Sequence, residues 1–241
     1  MFSILKKELN SYFSNPTGYI VIGLFLIFCG LFLWVIPGEF NVFYNGYATV
    51  DGLFTMAPWL FLILCPAITM RLFAEEKQNG TWELIISKPI DKWSIIFGKY
   101  LSAWILMIVA LLPTLLYFIA ISFLAEPQGN VDSGAFFSSY VSLNLLAGVF
   151  VAIGIFASSL TNNQIISFVL ATVISFIMYY GFDLSSSFFS SGNSIQFINN
   201  LGMNAHFKSM SRGVIDLRDL AYFTGLIYVF LLFTRLKISK N

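Results

Sequence analysis

The sequence predicts an all-α, polytopic membrane protein, and three observations carry that prediction. Of its 241 residues 58% are hydrophobic and only 10% charged, where a soluble domain carries about a quarter charged residues. Six apolar runs are each long enough to cross a bilayer as a helix, which takes about 20 residues. None of the runs alternates polar and apolar residues as the strands of a membrane barrel do. Lipid therefore replaces water as the outer solvent, in keeping with a mean hydropathy of +0.81. Formal net charge is +1, so nothing in the balance points to nucleic acid as a partner.

Before the first span, Phe2, Leu5, Leu9 and Tyr12 or Phe13 recur at helical spacing, with Lys6, Lys7, Glu8 and Asn10 opposite. That pattern predicts an amphipathic helix lying in the membrane interface. Asn15-Pro16 then supplies a cap and a first-turn proline where the chain turns into the bilayer. No small-residue cleavage site follows the first apolar run, so an uncleaved N-terminus is expected. The predicted spans cover about 17–36, 53–72, 95–124, 139–160, 164–182 and 220–236. Pro113 is expected to kink the third. Cys29 and Cys65 lie inside apolar runs and read as small packing residues.

Lysine and arginine distribution sets the orientation. Ten of the thirteen fall before the first span, between the second and third, or after the sixth: Lys6, Lys7, Arg71, Lys77, Lys88, Lys92, Lys99, Arg235, Lys237 and Lys240. The first-to-second and third-to-fourth connections carry only acidic residues, Glu39, Asp51, Glu126 and Asp132. Lys208, Arg212 and Arg218 fall in the long fifth-to-sixth connection. Both termini are therefore expected in the cytoplasm.

The segment 71–100 holds nine of the chain's 25 charged residues yet mixes them with Trp82, Leu84, Ile85 and Ile86. Asn79-Gly80 is a stop signal, and Thr81 is a candidate N-cap for a new short helix over about 81–89. Trp82, Ile85, Ile86 and Pro89 follow i, i+3, i+4, i+7 spacing, and Glu83 suits the first turn. Asp91 can cap what begins at Trp93. Periodicity alone gives an amphipathic helix on the cytoplasmic face, an interfacial anchor or a lid over the bundle.

The order of residues here, Glu76, Gly80-Thr81, Glu83, Leu84-Ile85-Ile86, Pro89 and Gly98-Lys99, resembles the E…GT-x-E-x-L-L-x-x-P…GK stretch of ABC-2 type transporter permeases. "GVFVAIGIFASSLTNNQIISFVL" is similar to that family's fourth span, short turn and fifth span. "AHFKSMSRGVIDLRDLAYF" resembles the last outer connection of the branch that includes gliding-motility-associated permease subunits. The resemblance implies one ABC-2 type transmembrane domain over 1–241 in a bacterial inner membrane. It also implies a coupling helix that docks on a cytoplasmic ABC ATPase, and a second permease subunit, identical or homologous, to complete the pathway. Glu76, Gly80, Thr81, Trp82, Glu83, Ile85, Ile86 and Pro89 would then form the ATPase-coupling element. Trp82, Ile85 and Ile86 would be its apolar anchors, with Glu75, Glu76, Lys77, Glu83 and Lys88 around them.

Other signals are weaker. No phosphate-cradling G-x-x-x-x-G-K-[ST] occurs, so ATP hydrolysis is expected on a partner chain, and no cofactor, metal or catalytic group is expected here. His206 has no cysteine or second histidine beside it in sequence, and the serines of "DLSSSFFSSGNS" read as a polar loop. The spans hold almost no ionisable residues in their middles, which argues against an ion-coupled carrier. A channel, or a scaffold that binds an ATPase without transporting, remains a rival. Gly148, Ala152, Gly154 and Ser158 form two offset small-residue pairs suited to close helix packing, within the bundle or between subunits. The turn 161–164 can cap the fifth span. In the outer segment 183–219, Ile195, Ile198 and Leu201 share helical spacing.

Overall fold

The computed structural model describes residues 1–189 and 192–239, and no strand occurs among them. Ser190 and Ser191 of the polar loop, and the tail residue Lys240, lie outside the described residues. Among the described residues, six helices are long and apolar enough to cross a membrane: Pro16–Val35, Asp51–Gln78, Lys92–Leu124, Ser133–Leu160, Gln164–Ser186 and Leu217–Ser239.

The chain begins with α1 (Phe2–Ser14) and turns at Asn15 into α2 (Pro16–Gly30), which widens into a π-turn over Leu31–Val35. A short α3 (Val42–Asn45) leads to α4 (Asp51–Thr69), which bends at Met70 into α5 (Arg71–Gln78). α6 (Thr81–Ile86) follows after a two-residue elbow, Asn79-Gly80, with Gly80 left-handed (φ 69°). The third span is α7 (Lys92–Leu111), a 3₁₀ turn carrying Pro113, and α8 (Leu115–Leu124), so the expected kink is present. Asp132 caps α9 (Ser133–Leu160) by accepting from the Ala135 amide. Asn163 caps α10 (Gln164–Phe176) by accepting from Ile165 and Ile166. α11 (Phe182–Ser186), α12 (Gly192–Asn199) and α13 (Met203–Met210) fill the outer segment before α14 (Leu217–Ser239).

α9 is the axis of the bundle, 78% buried along its most apolar window against 22% for the fifth span. α4, α10 and α14 surround it, and α7 closes the bundle beside α1. One end gathers α1, α5, α6, the start of α7 and the end of α14, as shown by Arg235 lying over the Trp93 ring. The opposite end gathers α3, α8 and α11–α13. Asn204 there donates to Asp183, and His206 bridges the Asp219 carboxylate (2.6 Å) and the Asn200 carbonyl (2.9 Å). In the outer segment α12 presents Ile195 and Ile198 half-buried, while Leu201 lies beyond its end and is exposed.

The second helix runs to Gln78 rather than ending near 72, and a side chain from α9 explains its bend. The Ser158 hydroxyl accepts from the Phe73 and Ala74 amides (3.0 and 3.1 Å) and donates to the Met70 carbonyl (2.9 Å). A side chain inserted into the backbone ladder is a recognised cause of helix kinks. One turn along α9, Gly154 faces Thr69 so closely that any Cβ would overlap that side chain. Small residues in α9 are thus what seats the bend of α4 into α5.

Candidate functional site

The stretch that links the second and third spans forms an elbow whose two apolar sides do different things. Trp82 turns inward: it is 7% exposed and meets Phe73 edge-to-face at 5.3 Å. Ile85 is half-buried against the core. Leu84 (66% exposed) and Ile86 (37% exposed) point out, alongside exposed Glu83, Lys88 and Pro89. The stripe that spacing singled out is therefore split: Trp82 and Ile85 face the bundle, while Ile86 and Pro89 face outward. Trp82 fastens α6 to its own bundle, and Leu84, passed over as an anchor, is the most exposed apolar side chain of α6. A two-turn helix has to pack one face on its own protein, and periodicity does not say which apolar face that is.

Thr81 is the first residue of α6, not its cap; the left-handed Gly80 holds the cap position. The Thr81 hydroxyl instead donates back to the Glu76 carbonyl (3.2 Å), which satisfies an open acceptor at the end of α5. Asp91 occupies the N-cap position of α7, which begins at Lys92, without a side-chain capping bond.

Beneath this elbow lies a charge cluster that joins three helices. The Lys99 ammonium on α7 is 1% exposed and sits 2.9 Å from Glu8 Oε1 on α1 and 2.8 Å from Glu76 Oε2 on α5. It also donates to the Leu72 carbonyl at 2.7 Å. The Glu76 contact through Oε2 is an ion pair without hydrogen-bond alignment. The other Glu76 oxygen accepts from Lys7 at 2.9 Å. Two ammonium groups and two carboxylates thus balance in charge, as burial requires: an unpaired buried ion costs several kcal/mol (roughly 3–5 when one partner is removed). Burial by itself lowers the Lys7 pKa, but the hydrogen bond to Glu76 and the charges of Glu76 and Glu8 outweigh it and hold it above the ordinary value.

This arrangement corrects the reading of α1. Glu8 belongs to the buried face with Ile4 and Tyr12, not to the polar face opposite, because Lys99 requires a carboxylate there. Gly98 lets α1 approach: a Cβ at that position would meet Ile4 at 3.1 Å and the Met1 carbonyl at 3.2 Å. Tyr12 donates to the Ile68 carbonyl (3.2 Å) and lies under the Arg71 guanidinium, whose carbon is 4.6 Å from the ring centroid. Burial pushes the Tyr12 phenol well above its ordinary value. A second tie joins the elbow to α9, since Lys77 donates to the Ser159 carbonyl. Between α1 and the 85–90 segment, a cavity of about 290 Å³ bounded by Ile4, Ile85, Ile90, Ile95 and Lys99 leaves space on that flank of α6.

Of the four small residues on α9, Gly154 and Ser158 act at the α4–α5 bend just below this cluster. Gly148 lies against Tyr100 and Trp104 of α7, and Ala152 is fully buried. All four positions pack inside the bundle.

A family model described as "ABC-2 family transporter protein" matches residues 59–201. No curated protein matches the chain. The matched region runs from the middle of α4 past α12. It includes the elbow, Glu76, Lys99 and the whole of α9, while α1 and α14 lie outside it. The match covers more than half of the 241 residues, and the chain belongs to the ABC-2 family of transporter proteins.

Proposed function

We propose that this chain is the membrane-spanning permease subunit of an ABC exporter-type complex in a bacterial inner membrane, with the α6 end in the cytoplasm. A separate ABC ATPase seats on α6, and a second permease subunit, identical or homologous, completes the pathway. Membership in the ABC-2 family supports a transport subunit whose ATP hydrolysis resides on a partner. The concentration of lysine and arginine at the α6 end supports the orientation. The resemblance of residues 205–223 supports a gliding-motility-associated role.

One observation carries the proposal: α6 exposes Leu84 and Ile86 outward while Trp82 and the Lys99 cluster grip the elbow from within. An interfacial anchor needs only the outward face. A coupling element needs both, because force on the helix has to reach the spans. Here α6 is joined through Phe73 and Glu76 to α5, through Lys99 to α7, and through Glu8 to α1. α5 meets α4 at a bend whose backbone bonds are completed by Ser158 of α9. Displacing α6 therefore moves α5 about Met70 and changes the tilt of the second span against α9.

Recovery of the ATPase with detergent-solubilised permease tests this reading. Truncating a buried interface anchor costs about 2 kcal/mol or more, roughly thirtyfold in affinity. Leu84→Ala with Ile86→Ala should strip the ATPase during purification while permease amount stays normal. Full recovery of the ATPase and full activity in that variant would leave α6 as an interfacial anchor.

A further inference from the structure

At the end of the bundle opposite α6, a cavity of about 440 Å³ opens between the first turns of α4, the start of α9, the end of the fifth span and α13. Lys208 and Arg212, four residues apart, both line it. Both are exposed, and neither side chain has a hydrogen bond or ion pair among the described residues. The distribution of charge makes this pair unusual. Only three of the thirteen lysines and arginines fall at this end, and two of them share one cavity.

The rest of the lining says what the pair can hold. Asp51 contributes a carboxylate in the first turn of α4, where the helix dipole favours it, so the cavity's formal charge is +1. Tyr179 and Tyr180 are neighbours in sequence, yet both line the cavity. They sit in a π-turn over Ile177–Gly181, and such widened turns recur at functional sites. Trp59 packs edge-on to Tyr179 (6.0 Å) and against Tyr180 (5.5 Å), and it remains 44% exposed on the outer surface of its span. From Asp51 to Trp59 α4 rises about 12 Å, the distance over which an apolar span that begins at Asp51 would pass from the headgroup zone into the first acyl methylenes. Trp and Tyr favour that depth.

We propose that this cavity binds the headgroup of a singly anionic phospholipid. The phosphodiester complements the cavity's single net positive charge. Arg212 offers a planar fork to two phosphate oxygens, and Lys208 adds a point charge. The Trp59 and tyrosine wall takes the glycerol and the upper acyl chain, which a free phosphate would leave uncovered. The site is independent of α6, and its test does not involve an ATPase.

The experiment titrates the full chain, purified in detergent, with phosphatidylglycerol and separately with phosphatidylcholine, counting bound lipid by native mass spectrometry. Phosphatidylglycerol should be retained at concentrations where phosphatidylcholine is not. Lys208→Gln and Arg212→Gln should each weaken it by about tenfold or more. Lys208→Arg should keep it, and Asp51→Asn should tighten it by removing a like charge. That reversal of sign is a result a purely structural role does not give. Unchanged thermal unfolding of the exposed-site variants confirms that folding is not the cause. Equal retention of the two lipids, or undiminished phosphatidylglycerol binding in the Lys208→Gln/Arg212→Gln pair, would overturn the proposal. Displacement by soluble glycerophosphate at matched concentration would also overturn it, by assigning the cavity to a soluble phosphate ester.

Discussion

Lys99 is the residue whose environment asks most of the sequence around it. A fully buried ammonium is tolerable here because two carboxylates and a backbone carbonyl lie within 3 Å of it. Lys99→Met should therefore destabilise the protein by about 3–5 kcal/mol, since it leaves Glu8 and Glu76 buried with only half-exposed Lys7 between them. Adding Glu8→Gln should cost less than the sum of the two single changes, because both act on one pair. Thermal unfolding of the detergent-solubilised single and double variants reads this coupling, and strict additivity would deny the cluster. The sequence displayed Glu76 and Gly98-Lys99 as parts of one ordered motif. It did not display Glu8 as their partner, because Glu8 and Lys99 are 91 positions apart. Helical periodicity sorts side chains into polar and apolar, and so cannot announce a carboxylate that belongs on the buried face.

At the scale of the element, the bend between α4 and α5 depends on a hydroxyl supplied by another helix. Ser158→Ala leaves the Phe73 and Ala74 amides without that acceptor, at a cost of about 1–3 kcal/mol. Amide exchange at residues 73 and 74 should accelerate while the middle of α9 stays protected; unchanged exchange there would show that the bend has another cause. The stop at Asn79-Gly80, the kink at Pro113 and a cap within the turn 161–164, which the structure assigns to Asn163, were all legible, since each rests on a residue whose backbone preference is local. The continuation of the second span to Gln78 was not. Arg71, Glu75, Glu76 and Lys77 read as part of the connection between the second and third spans, yet Arg71, Glu76 and Lys77 are satisfied by Thr17, Lys7, Lys99 and Ser159 from neighbouring helices. Likewise the stripe through Trp82 was visible, but whether it faced the bundle or the outside depended on Phe73.

For the whole molecule, the six spans, the N-terminal amphipathic helix and the short helix after the second span follow from composition and period, because lipid leaves the backbone few other choices. What those signals do not contain is the relation between the two ends. The structure puts a gripped, outward-facing helix at the basic end and an aromatic cavity with two cations at the other, with α9 between them. The central claim is that an ABC ATPase sits on α6 from the cytoplasmic side. A photo-crosslinking residue placed at Leu84 in intact cells, with Asn193 of α12 as the opposite-end control, tests it most directly. Position 84 should yield an adduct whose second component is a cytoplasmic ABC ATPase, and position 193 should yield none. An α6 probe that crosslinks to lipid alone, or that reacts with a membrane-impermeant reagent added outside the cell, would contradict the account.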